Sequence, residues 1–288
     1  MDILAAANLV AGGQARVSAL LASLTASGRL PHALLFAGPE GAGKELAAVR
    51  LAAMLQCDDA GACGSCPACR KVASLEHPDL HLVYAVPSGE ADAGAAAVIE
   101  SRREDFLAAG EFGNRARSVG IDAIRKTAGG ISRRPFEGRR AVAVVFEAHL
   151  ATAEAQNAML RILEEPPPSA AIVLVTERAD RLLPTIVSRC REIRFEALPE
   201  ETVAAYLAAF HSVERGEARR LGAQADGNLR RAVKLLDERF LEQRRDAFSL
   251  LRLVLEGPAR RIPVEAETVA RSYTREETIE ILDEMIAV

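Results

Sequence analysis

Residues 141–190 read AVAVVFEAHLATAEAQNAMLRILEEPPPSAAIVLVTERADRLLPTIVSRC, and the order of apolar runs and breakers in this stretch decides the fold class. Ala141–Phe146 is a continuous apolar run, the pattern of a strand buried on both faces of a parallel sheet. Thr152 is placed to cap a helix in which Ala155, Met159, Ile162 and Leu163 recur at helical spacing. Pro166–Pro168 ends that helix, because proline has no amide donor and restricts the residue before it. A second buried strand is predicted over Ala171–Thr176, and the stretch closes on Ser188-Arg189-Cys190. A strand–helix–strand crossover belongs to a doubly wound α/β domain, whose ligands lie beyond the carboxyl ends of the strands.

Upstream, Leu34–Ala37 forms a strand followed by Gly38-Pro39-Glu40-Gly41-Ala42-Gly43-Lys44-Glu45. A strand, a glycine-rich turn and a helix start make the setting of a phosphate loop. Its amides are suited to cradle phosphate oxygens, with Lys44 reaching the outer phosphates. The last position carries Glu45 where Ser or Thr normally ligates Mg²⁺, and a carboxylate there sets negative charge beside the phosphates. A loop kept only for its shape is the rival to a working nucleotide site. In the 141–150 stretch, Glu147 stands where a catalytic glutamate polarises water, but Phe146 occupies the metal-binding acidic position. Both protein ligands of Mg²⁺ are therefore missing, which argues against ATP hydrolysis at this chain's own pocket. His149 is expected at the surface or in a cap.

Cys57, Cys63, Cys66 and Cys69 fall within thirteen residues. Two overlapping C-x-x-C steps and an upstream cysteine suit a tetrahedral thiolate site, and structural Zn²⁺ is expected. A redox pair and an iron–sulfur cluster are the alternatives. Asp79–Ala85 reads as another strand, residues 87–117 as a mobile excursion, and Ile121–Arg125 as a helix. After Cys190 come a strand over Glu192–Leu198 and helical pattern from Glu200 onward, with Asn228 a cap candidate. The first 30 residues are helical and amphipathic, with Val17, Leu20, Leu21 and Leu24 on one stripe.

The chain has 288 residues, 49% hydrophobic and 26% charged, with a formal net charge of −4. Those values suit a globular protein with a real core and argue against nucleic-acid binding by bulk charge. The arginine pairs Arg102/Arg103, Arg133/Arg134 and Arg139/Arg140 read as solvated charge, with phosphate contact the alternative. No apolar run reaches the roughly 18 residues of a membrane span, and the first residues lack the basic start of a signal peptide. A cytoplasmic location is the expectation.

Arg189, in Ser188-Arg189-Cys190, has two readings: an intradomain salt bridge, or an arginine finger offered to a neighbouring subunit's γ-phosphate. Pro31-His32-Ala33, the four cysteines, Glu137-Gly138, Asn157–Pro167, Ser188–Cys190 and Gly227–Arg230 together resemble the δ′ family of bacterial clamp-loader subunits. These are AAA+ relatives of the τ/γ subunits of the replicative DNA polymerase. The resemblance covers about residues 1–240. It implies a P-loop α/β domain over 1–198 with an inserted zinc module, a helical lid over 199–240 and part of a helical collar over 241–288. It also implies a nucleotide-facing set of Gly38, Gly41, Gly43, Lys44, Thr176 (sensor 1) and Arg230 (sensor 2). Arg189 becomes a finger acting in trans. The implied partners are τ/γ and δ subunits, with the sliding clamp and primer-template DNA reached through the complex. Glu45 and Phe146 favour the δ′ side, whose members keep the fold and lose hydrolysis. A τ/γ-like motor is the alternative function, and a stand-alone nucleotide-binding regulator leaves Ser188–Cys190 unexplained.

Overall fold

The computed structural model describes residues 2–59, 61–107, 115–274, 277–279 and 282. The chain divides into two compact units, one of residues 1–111 and 116–230, the other of 112–115 and 231–288. The first begins with α1 (Ile3–Gly13) and α2 (Ala15–Ala26), then β1 (Ala33–Ala37), α3 (Lys44–Gln56), α4 (Pro67–Ala73) and β2 (Leu80–Val83). It continues with β3 (Val86–Pro87), α5 (Ala91–Glu104), β4 (Arg117–Ser118), α6 (Ile121–Ile131), β5 (Ala141–Val145) and α7 (Ala153–Glu164). β6 (Ala170–Thr176), α8 (Pro184–Val187), β7 (Arg191–Arg194), α9 (Glu200–Phe210) and α10 (Arg215–Gln224) follow, and α11 spans Leu229–Lys234.

Five parallel strands form the sheet, in the order β2-β5-β6-β1-β7. Every residue of β1, β5 and β6 is buried, as continuous apolar runs require when helices cover both faces. Alternation along the strands divides the core. Leu35, Ala143, Val145, Ile172 and Leu174 face Ile124 and Ile131 of α6, Met159 and Leu163 of α7, and Ile186 of α8. The intervening residues point to the face where α3 packs on β1 and β6. Thr152 caps α7 by accepting from the Ala155 amide at 3.2 Å. Register then brings the chemistry-bearing strand ends together: Ala37, just before the glycine loop, pairs with Thr176 at the end of β6. This is the P-loop α/β architecture of the AAA+ class.

Two expectations change. The strand predicted at 192–198 is β7, Arg191–Arg194, after which only the Phe195 amide still bonds to Ala37 O, at 2.8 Å. The excursion predicted over 87–117 contains the 14-residue helix α5. Alanines supply its helix propensity, and among its described residues the buried side chains are those of Val98 and Arg102, an i, i+4 pair that an apolar count misses because one member is charged. Residues 108–114 of that stretch lie outside the described residues.

The second unit is built on α12 (Glu238–Glu256) and α13 (Ile262–Ser272), which meet through Ala247 and Val269, with Tyr273 alongside. Asp237 caps α12 by accepting from the Arg239 amide at 2.9 Å, and the Tyr273 hydroxyl donates to Asp246 at 2.6 Å.

Candidate nucleotide pocket and cysteine cluster

A pocket lies beyond the carboxyl ends of β1, β5 and β6, lined by Gly41–Leu46, Leu107, Glu147, His149, Val175–Glu177 and Arg230. The glycine loop adopts backbone that side chains resist: φ is +65° at Gly41 and +82° at Gly43. A Cβ on Gly41 would come within 1.8 Å of Asn228 Oδ1, and the Leu229 amide donates to Gly41 O at 3.1 Å. The loop is thereby fastened to the segment that carries Arg230.

Inside the pocket Lys44, Glu45 and Arg230 are already engaged. Lys44, 4% exposed, turns back and donates to Gly38 O at 2.9 Å and to Pro39 O. Burial lowers its pKa. Glu45 accepts from Arg102 Nη2 at 3.1 Å and from Arg230 Nη2 at 2.7 Å. Burial opposes its charge, but the two guanidiniums override that and hold the carboxyl at about 2. Glu45 in turn raises the pKa of Arg230. Arg230 also donates to Leu107 O at 3.0 Å.

Phe146 belongs to the same cluster. Its ring stacks on Tyr84 with centroids 4.8 Å apart and planes 8° from parallel. The Arg102 guanidinium lies 4.8 Å from both ring centroids and 5.2 Å from that of Phe106. A cation held over aromatic faces and paired with a carboxylate keeps its charge in a dry site. The two departures from the motor pattern, Glu45 and Phe146, therefore meet on one guanidinium. In the sequence Arg102 reads with Arg103 as solvated charge. The structure instead buries it at 2% exposure, because Glu45 and the aromatic rings hold its guanidinium. Tyr84 carries no sequence signal as a site residue.

Glu147 adopts φ +47°, and its carboxylate is engaged by Arg117 at 3.1 and 3.2 Å. His149 is half-buried in the pocket rather than at the surface, with Nδ1 3.3 Å from Thr176 Oγ1. Burial lowers its pKa. Thr176, 1% exposed, also accepts from the Arg178 amide at 3.1 Å.

The remaining site residues lie elsewhere. Arg189 lines no part of this pocket; it follows α8, donates to Thr185 O at 2.9 Å and pairs with Glu164 at 2.9 Å, with both side chains well exposed. Cys57, Cys63, Cys66 and Cys69 come together with all four sulfurs within 4.8 Å of one another. Zinc–sulfur bonds of about 2.3 Å in a tetrahedron imply sulfur spacings of about 3.8 Å, so a small contraction closes the set on an ion. Amides of Cys66 and Cys69 donate to the Cys63 and Cys66 sulfurs, both at 3.4 Å. The Ser65 hydroxyl, followed by the Cys66 amide, lowers the Cys63 thiol to about 6. Such donors favour the thiolate at Cys63, the form a metal takes, whereas burial pushes the Cys69 thiol up; four sulfurs gathered this closely fit Zn²⁺. Cys190 stands apart, its thiol pushed up to about 11 by burial.

The family described as DNA polymerase III, delta subunit, matches residues 13–199. The chain is 33% identical over 240 residues to the Bacillus subtilis protein named DNA polymerase III subunit delta′, covering 82% of this chain and 64% of that one. It is 33% identical over 196 residues to a Mycobacterium bovis DNA polymerase III subunit gamma/tau, covering 68% of this chain and 30% of the relative. A Thermotoga maritima gamma subunit-related structure superposes with a TM-score of 0.45 at 18% identity, over 92% of this chain and 82% of that one. The chain thus spans less than two thirds of the length of these curated relatives. With a matched family profile over most of its sheet domain and a δ′ relative at one third identity, it belongs to the δ′/τ/γ family of DNA polymerase III clamp-loader subunits.

Proposed function

We propose that this chain is a δ′-type subunit: an AAA+ protein that does not hydrolyse ATP and completes the ATP site of a neighbouring τ/γ subunit. One observation carries the first half: the Glu45 carboxylate occupies the end of its own phosphate loop, bound to Arg102 and Arg230. A triphosphate entering there would face a buried anion, would have to recruit Lys44 from Gly38 O, and would find Phe146 where an acid should hold Mg²⁺. Gly38, Gly41 and Gly43 then serve loop shape, and Thr176 with His149 serves the folded pocket. Arg189, exposed and held by a surface ion pair of little strength, is proposed to turn to the next subunit's γ-phosphate. In this role the chain supports loading of the sliding clamp onto primed DNA together with τ/γ and δ subunits in the cytoplasm. We assign 1–198 to the α/β domain, 199–240 to the lid and 241–288 to part of a collar. Zn²⁺, held by the four cysteines, would supply structural closure and no catalysis, since sulfur fills every position.

The test reconstitutes the chain with its clamp-loader partners and measures DNA- and clamp-stimulated ATP hydrolysis. Alone, the chain should show no turnover above background. Arg189→Ala should assemble normally, yet silence the bordering site, since a finger contributes roughly 10³–10⁵ to the rate of its site. Lysine should substitute poorly, lacking the planar fork. Turnover by the isolated chain that Lys44→Ala removes would instead establish a τ/γ-like motor. Equal rates for wild-type and Arg189→Ala complexes would leave Arg189 as the partner of Glu164 and nothing more.

A further inference from the structure

α7 ends on Glu164, followed by Glu165 and the three prolines. A carboxylate in the last turn of a helix faces the partial negative charge of the unpaired carbonyls there, which disfavours it. Glu164 is thus poorly placed for its own helix, and the cation that compensates it comes from another element. Arg189 Nη2 lies 2.9 Å from Glu164 Oε1, and Arg189 Nη1 donates to Thr185 O of α8, also at 2.9 Å. Both anchors stand on fixed backbone, since Leu163 beside Glu164 and Ile186 beside Thr185 belong to the core under the sheet. Among the described residues Arg189 has no third polar partner. Most of its five N–H donors are therefore open, on a side chain 37% exposed.

An exposed ion pair adds little to stability, so stability alone does not account for a carboxylate at the unfavourable end of α7. Orientation does. A free arginine side chain has among the largest rotamer entropies of any residue, and an unanchored finger loses it during the step it is meant to accelerate. A guanidinium already gripped by a carboxylate and a carbonyl has lost most of that freedom before a phosphate arrives. Prior placement of charge is what makes such a group effective on a developing anion. The grip also uses few donors, which leaves the fork available to phosphate oxygens.

We propose that Glu164 is the positioning residue of the finger: with Thr185 O it fixes the Arg189 guanidinium in one orientation, ready for the γ-phosphate of the next subunit. This role rests on Arg189 serving as the finger proposed above, and Glu164 reaches the nucleotide only through it.

The experiment uses the complex reconstituted with τ/γ and δ partners and follows DNA- and clamp-stimulated ATP hydrolysis over a range of ATP concentrations. The turnover that Arg189→Ala removes defines the share of the bordering site. Glu164→Ala should lower that share about 2- to 10-fold, below the roughly 30-fold that an arginine's whole rotamer entropy represents. The loss should fall on kcat with the KM for ATP unchanged, and the remaining turnover should stay intact. Glu164→Gln keeps an acceptor oxygen and should restore most of the lost rate. In the Arg189→Ala background Glu164→Ala should change nothing further, because a positioning residue has no effect without the group it positions. A purely structural role would instead lower assembly or turnover in both backgrounds. Glu165→Ala is the control: this exposed neighbour has no ion-pair partner among the described residues, and its loss should leave every rate unchanged. Assembly is checked by size and folding by melting temperature, which Glu164→Ala should not lower, since the helix end is relieved of a carboxylate. Equal bordering-site turnover in Glu164→Ala and wild type, or a further loss in the Arg189→Ala background, overturns the positioning role and leaves the finger standing. No loss in Arg189→Ala itself overturns the finger and the positioning role together.

Discussion

A carboxylate at position 45 sits where burial alone would neutralise it, and two guanidiniums at 3.1 and 2.7 Å keep it ionised, with a pKa of about 2. The folded pKa lies below the ordinary carboxylate value of about 4.3. Its stabilising contribution is therefore complete above about pH 4.3 and is lost as pH falls toward 2. Glu45→Gln removes that charge but leaves both guanidiniums in the dry cluster. The expected cost at neutral pH is about 3–5 kcal/mol, the usual penalty for breaking a buried pair. Urea unfolding at pH 7 and at pH 3 checks it: the gap between variant and wild type should narrow at the lower pH. A gap independent of pH would mean that Glu45 contributes shape and no charge. Arg102→Lys should be costly as well, because a lysine lacks the planar guanidinium that covers the Tyr84 and Phe146 rings while one of its nitrogens reaches Glu45.

The elements around the cysteines depend on one another. Cys66 caps α4, its sulfur accepting from the Cys69 amide, and the same helix offers Lys71 to Glu137. Metal that gathers the four sulfurs should thereby order both the module and the 133–140 turn between α6 and β5. Metal analysis of the purified chain should give about one zinc, and a strong chelator should lower the melting temperature, since metal-binding energy is folding energy in such modules. Cys69→Ser, at a fully buried position, should lose the metal and reproduce the chelated state. Substoichiometric zinc with an unchanged melting temperature, or a disulfide among the four, would contradict the structural-metal role. In hydrogen exchange, the amides of Phe136–Gly138 should lose protection on chelation together with α4, because Asp79 and Lys71 join them.

At the scale of the whole molecule, the chain comprises two compact units, the sheet unit ending near Arg230 and a helical unit beyond it. Two cores in one chain depart from the single cooperative transition of a small one-domain protein. Scanning calorimetry should resolve two components, with a calorimetric enthalpy exceeding the van't Hoff value. Chelation should shift only the component of the sheet unit, where the four cysteines lie. A single two-state transition that moves as a whole would show that the units melt as one body. In the second unit Leu255 and Val264 remain exposed, whereas the sheet unit has its apolar runs covered.

Much of this was determined by local sequence. The apolar runs at 34–37, 141–146 and 171–176, the breakers between them and the glycine loop specify a parallel P-loop sheet, because periodicity and turn chemistry are local properties. The four cysteines announce a metal site by spacing alone. Missing Mg²⁺ ligands at Glu45 and Phe146 were legible as absences. What replaces them was not. The Glu45–Arg102–Arg230 cluster joins positions 57 and 185 residues apart in the chain, and Arg102 lies on a helix whose buried face is marked by a charge rather than an apolar stripe. Likewise Phe136 reads in sequence as one more apolar residue, yet it is 84% exposed. Its exposure follows from Asp79 binding three consecutive amides from 57 to 59 residues away. Local pattern encodes elements, whereas partners distant in sequence are chosen only when packing excludes water and a buried charge must find its counter-ion.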